Sequence, residues 1–188
     1  MNAPVTYTPA FLPPVLADVA FTKLFHELEW LRHPKVPRSE YFVSRIGKPY
    51  AYGKAEYART YEPQPSHEAL DGIWALTEQM ASCKFDVCFL NKYHDAQDQL
   101  GWHADDSPEM DDWRPIGVVT LMEKAKEARE LWFQAKGAPE TLEKLPLGHG
   151  SLALMAAGMQ DTHVHRIPKA SFKCGARISL TFRGYAEP

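Results

Sequence analysis

From Arg177 to Arg183 the sequence alternates without a break, with Arg177, Ser179, Thr181 and Arg183 on one side and Ile178, Leu180 and Phe182 on the other. Successive side chains of a strand point to opposite faces, so the segment reads as a core strand with one apolar and one polar face. The chain must supply an apolar layer for the first face. For the second it must supply an anion, because two unpaired guanidinium groups are costly to bury. A dicarboxylate gripped by bidentate hydrogen bonds meets that need, and so does Asp or Glu from the chain itself.

Further short β-rich segments occur at 86–93, 117–122, 130–134, 151–156 and 163–167, separated by turn-forming connections. Two helices are expected before them. One covers Ala17–Leu31, with Asp18 near its start and Val19, Phe21, Leu24, Phe25 and Leu28 as its buried stripe. The other covers Ser66–Ser82, with Ser66 as N-cap and Leu70, Ile73, Trp74, Thr77 and Met80 on one face. Residues 1–14, with Pro4, Pro9, Pro13 and Pro14, are expected to form an extended arm. Between the helices, prolines divide tyrosine-rich segments into what look like irregular hairpins. The expected class is α+β, mainly β: a sandwich or small jelly roll with helices packed on a sheet.

At 188 residues one domain is the default, 1–188, and folding it would bury about 70% of the unfolded surface. There is no apolar run long enough to span a bilayer, and the N-terminal residues lack the pattern of a secretory signal. A cytoplasmic monomer without membrane contact is expected. Cys83, Cys88 and Cys174 have no CxxC spacing, which argues against a disulfide framework or a thiolate zinc site.

The net charge of −3 argues against a uniformly basic surface, but the charge is unevenly spread. Between Leu31 and Thr60 stand Arg32, Lys35, Arg38, Arg45, Lys48, Lys54 and Arg59 against Glu40 and Glu56. Tyr41, Phe42, Tyr50, Tyr52, Tyr57 and Tyr61 interleave with them. Downstream, Asp105, Asp106, Glu109, Asp111 and Asp112 reverse the sign. A solvated surface explains such runs as readily as a binding face does.

His103 and Asp105 lie two apart and in an extended segment can aim at one ion. A third ligand must come from elsewhere, and His163 and His165 qualify equally on spacing. Two imidazoles and one carboxylate suit a divalent iron with open positions, which favours oxygen chemistry over hydrolysis. Asn91 and Tyr93 repeat the two-residue spacing on the preceding strand and offer polar tips to an acidic co-substrate.

The strings NKYHDAQDQLGWHADD, LPLGHGSLALM, THVHRIP and RISLTFR resemble the AlkB family of Fe(II)- and 2-oxoglutarate-dependent nucleic-acid dealkylases, closest to its DNA-repair branch. The likeness covers roughly residues 37–184. It implies a double-stranded β-helix, with a jelly-roll core over about 83–184 and a nucleotide-recognition lid over about 31–65. It implies His103, Asp105 and His165 as iron ligands, and Asn91, Tyr93, Arg177 and Arg183 as contacts to 2-oxoglutarate. Tyr52 matches an aromatic residue that stacks on the damaged base, with the His103 imidazole on the opposite side. Arg38 and Ser107 are the other expected substrate contacts. Ser107 departs from the pattern, since repair members usually carry an acid there, with Asp106 and Glu109 the nearby acids.

The implied reaction consumes O2 and 2-oxoglutarate, hydroxylates an N-linked alkyl carbon and releases formaldehyde from an alkylated nucleic-acid base, DNA being preferred over RNA. Ser107 keeps open an oxygenase acting on RNA, a protein side chain or another nucleobase. A non-catalytic jelly-roll protein that binds nucleic acid is the reading from a different class.

Overall fold

The computed structural model describes residues 3–52, 59–123 and 127–186. The chain opens with β1 (Val5–Thr8), α1 (Pro14–Glu27), β2 (Ser39–Ser44), β3 (Tyr50–Tyr52), β4 (Arg59–Tyr61) and α2 (Glu68–Ala81). It continues through β5 (Val87–Tyr93), β6 (Leu100–His103), β7 (Ile116–Met122), β8 (Glu130–Ala135) and β9 (Glu143–Pro146). It closes with β10 (Ser151–Met155), α3 (Met159–Thr162), β11 (His163–Ile167) and β12 (Arg177–Arg183).

Six strands form an antiparallel major sheet in the order β1-β10-β7-β12-β5-β2, and four form a minor sheet, β6-β11-β8-β9. β3 and β4 make a separate hairpin. β12 lies between β7 and β5, so its two faces meet different layers. Ile178, Leu180 and Phe182 pack with Leu24, Leu70, Ile73 and Trp74 of the helices, each such burial stabilising by about 1.5–3 kcal/mol. Between the sheets, Ile116, Val118, Ala153 and Met155 meet Leu131, Phe133, Leu145 and Ile167. The result is the mainly β, α+β architecture expected, with helices on the major sheet.

Four sequence expectations change. Residues 5–8 are not an arm but an edge strand, where the flanking Pro4 and Pro9 leave no ladder bond unmade. β2 is a regular strand of the major sheet; its residues are buried on both faces, so no alternation betrays it. α1 begins at Pro14, because proline is pre-organised for the first helical turn, and it ends at Glu27. The Trp30 indole takes the Leu24 carbonyl just beyond that end.

The buried stripe of α1 also uses Ala17 and Ala20 where Val19 was expected, and Val19 is 47% exposed. Small residues are needed because the helix lies close to the chain before β10: a Cβ on Gly150 (φ +72°) would stand 3.1 Å from the Leu12 carbonyl oxygen and 3.3 Å from the Ala17 Cβ. The fourth change is at α2, which is capped by His67, whose Nδ1 accepts from the Ala69 amide; Ser66 instead donates to Asp71. Met80 is exposed there while Thr77 is buried, its hydroxyl bonded to the Ile73 carbonyl.

The β6 and β9 strands are four residues each and carry no apolar alternation to read. All three cysteines are free, and among the described residues no helix is long and apolar enough to cross a membrane.

Candidate active site

The antiparallel pairing of β6 with β11 sets His103 directly opposite His165, and the ladder shifts register beyond that point. Asp105 follows two residues after His103. One ligand atom from each of the three lies within 4.8 Å of the others. His103 Nε2 is 3.9 Å and His165 Nε2 3.7 Å from the Asp105 carboxylate, and the two rings are 4.2 Å apart. His163, equally placed by spacing, pairs with the Thr162 hydroxyl instead.

Neighbours prepare each ligand. His103 Nδ1 lies 2.9 Å from the Gly101 carbonyl, to which it donates, so Nε2 carries the free lone pair. Burial, helped by His103, pushes the His165 pKa down to about 3, which leaves that ring neutral and able to bind metal. Burial pushes the Asp105 carboxyl up, but Arg183, His165 and His103 together hold it below its ordinary value. The Asp105 amide donates to Gln160 Oε1 at 3.0 Å.

The two arginines of β12 behave differently. Arg183 stands 3.4 Å from Asp105 and 3.2 Å from the Tyr50 hydroxyl, with its guanidinium 4.6 Å from the Tyr50 ring centre. Arg177 is buried beside Tyr93, and its Nη2 donates to the hydroxyls of Thr120 at 3.1 Å and Ser179 at 3.5 Å. Its Nε and Nη1 have no partner among the described residues. Burial pushes its pKa down to about 10, so it is still charged at neutral pH. The polar face of β12 thus resolves into one cation matched by an acid and one with no acid partner among the described residues.

A cleft opens in front of the triad, lined by Phe89, Asn91 and Tyr93 of β5, Ser179 and Thr181 of β12, and Tyr50, Tyr52 and Tyr61 of the β3–β4 hairpin. The aromatic wall is the β3–β4 hairpin packed on the major sheet, with Tyr61 edge-on to Phe89 at 4.8 Å. Tyr52 lines this cleft together with His103. Arg38 also lines it, but its guanidinium is bonded to Asn91 and Glu40.

Ser107 is bonded to the Tyr50 hydroxyl at 3.0 Å. Its acidic neighbours are engaged elsewhere, Asp106 with Lys136 and Glu109 with the Ala51 amide.

Four cations of the basic stretch have acid partners. Arg32 pairs with Asp98, Arg45 with Glu78, and Arg38 and Arg59 with Glu40. Asp98 and Glu78 lie far along the chain from their partners, whereas Glu40 stands inside the stretch itself. Lys54, Glu56 and Tyr57 lie outside the described residues.

Sequence reasoning passed over Tyr50 as a site residue, although it sits two positions before Tyr52 in the same strand. It also passed over Glu40, one of two acids inside the basic run, and Thr120 and Gln160, which carry no signal of their own.

The fold and triad together define an iron-dependent oxygenase. The 2OG-Fe(II) oxygenase superfamily model matches residues 4–183, and the chain belongs to that superfamily, within it to the AlkB family. It is 27% identical over 204 residues to "Alpha-ketoglutarate-dependent dioxygenase alkB homolog 3" of Bos taurus, covering 98% of this chain and 67% of that one. It is 26% identical over 185 residues to "DNA oxidative demethylase ALKBH2" of Homo sapiens, covering 89% and 68%. The chain spans 50–67% of the length of the four mammalian alkB homolog 3 proteins it matches. The solved structure of OsALKBH1 shares the fold, with a TM-score of 0.69 at 13% identity over 97% of this chain and 99% of that one.

The residues present fit the metal and co-substrate of this family. Two imidazole nitrogens and one carboxylate suit Fe(II) and leave positions open. The orphaned donors of Arg177 suit a carboxylate. The non-catalytic reading is thereby set aside.

Proposed function

We propose that the protein removes alkyl groups from the ring nitrogens of nucleobases in DNA by oxidative demethylation. The observation that carries this reading is the aromatic lining of Tyr50, Tyr52, Tyr61 and Phe89 in the same cleft as the triad. Such a lining offers π-faces to a flat heterocycle and little to an aliphatic side chain.

In this reading His103, Asp105 and His165 hold the iron. Bound iron, with 2-oxoglutarate and O2, supplies the oxidant, and 2-oxoglutarate is converted to succinate and CO2. Arg177 meets the distal carboxylate of 2-oxoglutarate, and Arg183, Asn91 and Tyr93 serve its other end. The Tyr52 ring stacks on the base and holds the alkyl group toward the triad. Arg38 and Ser107 border the same substrate. A base inside a duplex cannot enter the cleft, so the substrate is single-stranded or flipped out. Hydroxylation of the alkyl carbon gives a hemiaminal, which collapses to formaldehyde and the restored base.

The test is a formaldehyde and mass-shift assay with Fe(II), ascorbate and 2-oxoglutarate over methylated DNA and RNA oligonucleotides. Loss of one methyl group from DNA with matching formaldehyde is expected. Turnover of 2-oxoglutarate stimulated by RNA or a protein, and untouched by methylated DNA, would overturn the assignment.

A further inference from the structure

Glu40 of β2 stands opposite Asn91 of β5 in the sheet register and is 3% exposed. Its two carboxylate oxygens have different partners. Oε1 accepts from Arg38 Nη2 at 2.7 Å, while Oε2 accepts from Arg59 Nη1 at 2.9 Å and from the Tyr61 hydroxyl at 3.0 Å. Arg38 carries the connection onward, its Nε donating to Asn91 Oδ1 at 2.6 Å.

The direction of that last bond follows from chemistry. A guanidinium carries donors only, so it meets the oxygen of the amide and never its nitrogen. The two Asn91 N–H donors are therefore turned away from Arg38, leaving them for the cleft that Asn91 lines. Without Arg38 in place the amide could present either end. Arg38 in turn is buried, and Glu40 is its counter-charge; taking away one partner would leave the other charged and desolvated.

The second oxygen serves the other wall of the cleft. Arg59 and Tyr61 belong to β4, half of the hairpin that carries the aromatic side. One buried carboxylate thus joins the residue that orients Asn91 to the strand that walls the substrate side. Glu40 is not among the residues lining the cleft.

We propose that Glu40 is a positioning residue: acting through Arg38, it fixes the Asn91 amide with its donors toward 2-oxoglutarate and ties that orientation to the seating of the β3–β4 hairpin. The proposal rests on the reading of Asn91 as a co-substrate contact. Coupling of this kind is reciprocal, so a seated hairpin favours the co-substrate and bound co-substrate favours a seated hairpin.

The experiment is an anaerobic titration of the Fe(II)-loaded full chain with 2-oxoglutarate, followed by the visible metal-to-ligand charge-transfer band, for wild type, Glu40→Gln, Asn91→Ala and the double variant. Glu40→Gln is expected to weaken 2-oxoglutarate binding about tenfold with iron stoichiometry unchanged, the effect usual for an outer partner of a ligand-binding group. The double variant should bind no more weakly than Asn91→Ala alone, since Glu40 acts through Asn91.

Arg38→Lys keeps a cation beside Glu40 but loses the Nε donor. It should show the same loss and serves as the measurement if Glu40→Gln does not fold. Wild-type affinity in the folded variants, or losses that add in the double variant, would overturn the proposal. The readout involves no nucleic acid, so a failure of the DNA assignment registers separately, as a wild-type protein that binds 2-oxoglutarate yet releases no formaldehyde from any oligonucleotide.

Discussion

Arg183 Nη1 lies 3.4 Å from Asp105 Oδ1, and both side chains are buried, so the carboxylate that completes the triad has its counter-charge in the adjoining sheet. Burial alone would raise the Asp105 pKa, and Arg183 is the largest influence opposing it. In Arg183→Leu the carboxyl therefore moves upward and takes up a proton at a higher pH than in the wild type. Metal affinity should fall about 10–100-fold. Its loss on acidification should shift toward neutral pH. Anaerobic Fe(II) titrations without 2-oxoglutarate, from pH 5 to 8, measure both effects, and an unchanged pH profile would contradict this electrostatic role.

Arg177 leads to an opposite pair of effects. It is a buried cation, still charged at neutral pH, with two donors unmet among the described residues. Replacing it with Met removes an uncompensated charge and should stabilise the ligand-free protein by about 1–4 kcal/mol. The same change should abolish the rise in Tm that 2-oxoglutarate produces in the wild type. Calorimetry with and without 2-oxoglutarate decides the matter. A variant with lowered Tm that still responds to 2-oxoglutarate would defeat the assignment.

Tyr52 should act on the substrate and leave the co-substrate alone. Loss of one stacked base contact costs about 1–3 kcal/mol, so Tyr52→Ala should raise KM for the methylated oligonucleotide roughly 5–150-fold with little change in KM for 2-oxoglutarate. Tyr52→Phe keeps the ring and should retain most of the affinity. Equal losses in both variants would point to the hydroxyl and away from stacking.

Lys92 provides a test of stability that is independent of the site. Its ammonium lies 4.5 Å from the Phe25 ring centre and 4.7 Å from that of Trp30, and burial pushes its pKa from 10.5 down to about 8. Between these values the unfolded chain binds more protons than the folded one, so wild-type stability rises with pH across that window. Lys92→Met lacks that dependence. Its stability relative to wild type should be greatest at pH 7 and diminish toward pH 10.5, as measured by urea unfolding. Parallel curves for the two proteins would show that the ring contacts cancel the burial cost.

The parts of the molecule that could be read from the chain are those in which local alternation and burial agree. β12 is the clearest, with Ile178, Leu180 and Phe182 on the helices and Ser179, Thr181 and Arg183 on the cleft. β2 and β6 were missed for opposite reasons: Tyr41, Phe42 and Val43 are all buried and show no period, whereas four residues of β6 are too few to show one. In α1 the apolar spacing suggested Val19, but Ala17 and Ala20 are the buried positions, Ala17 lying close against the turn at Gly150.

Residue types and their spacing by themselves determined the mainly β class, the strand with two unlike faces, and a donor set suited to iron. Spacing left His163 and His165 equal and the family resemblance implied His165; the β6–β11 register is the physical ground for it, setting His165 opposite His103. Tertiary structure alone decided the state of the charges. Asp105 pairs with Arg183 across 78 positions, and Glu40 gathers Arg38 and Arg59, while Arg177 meets no acid among the described residues. The physical reason is that the periodicity of a strand acts over two residues and is written along the chain, whereas electrostatic pairing depends on distances in space that only the packed sheets create.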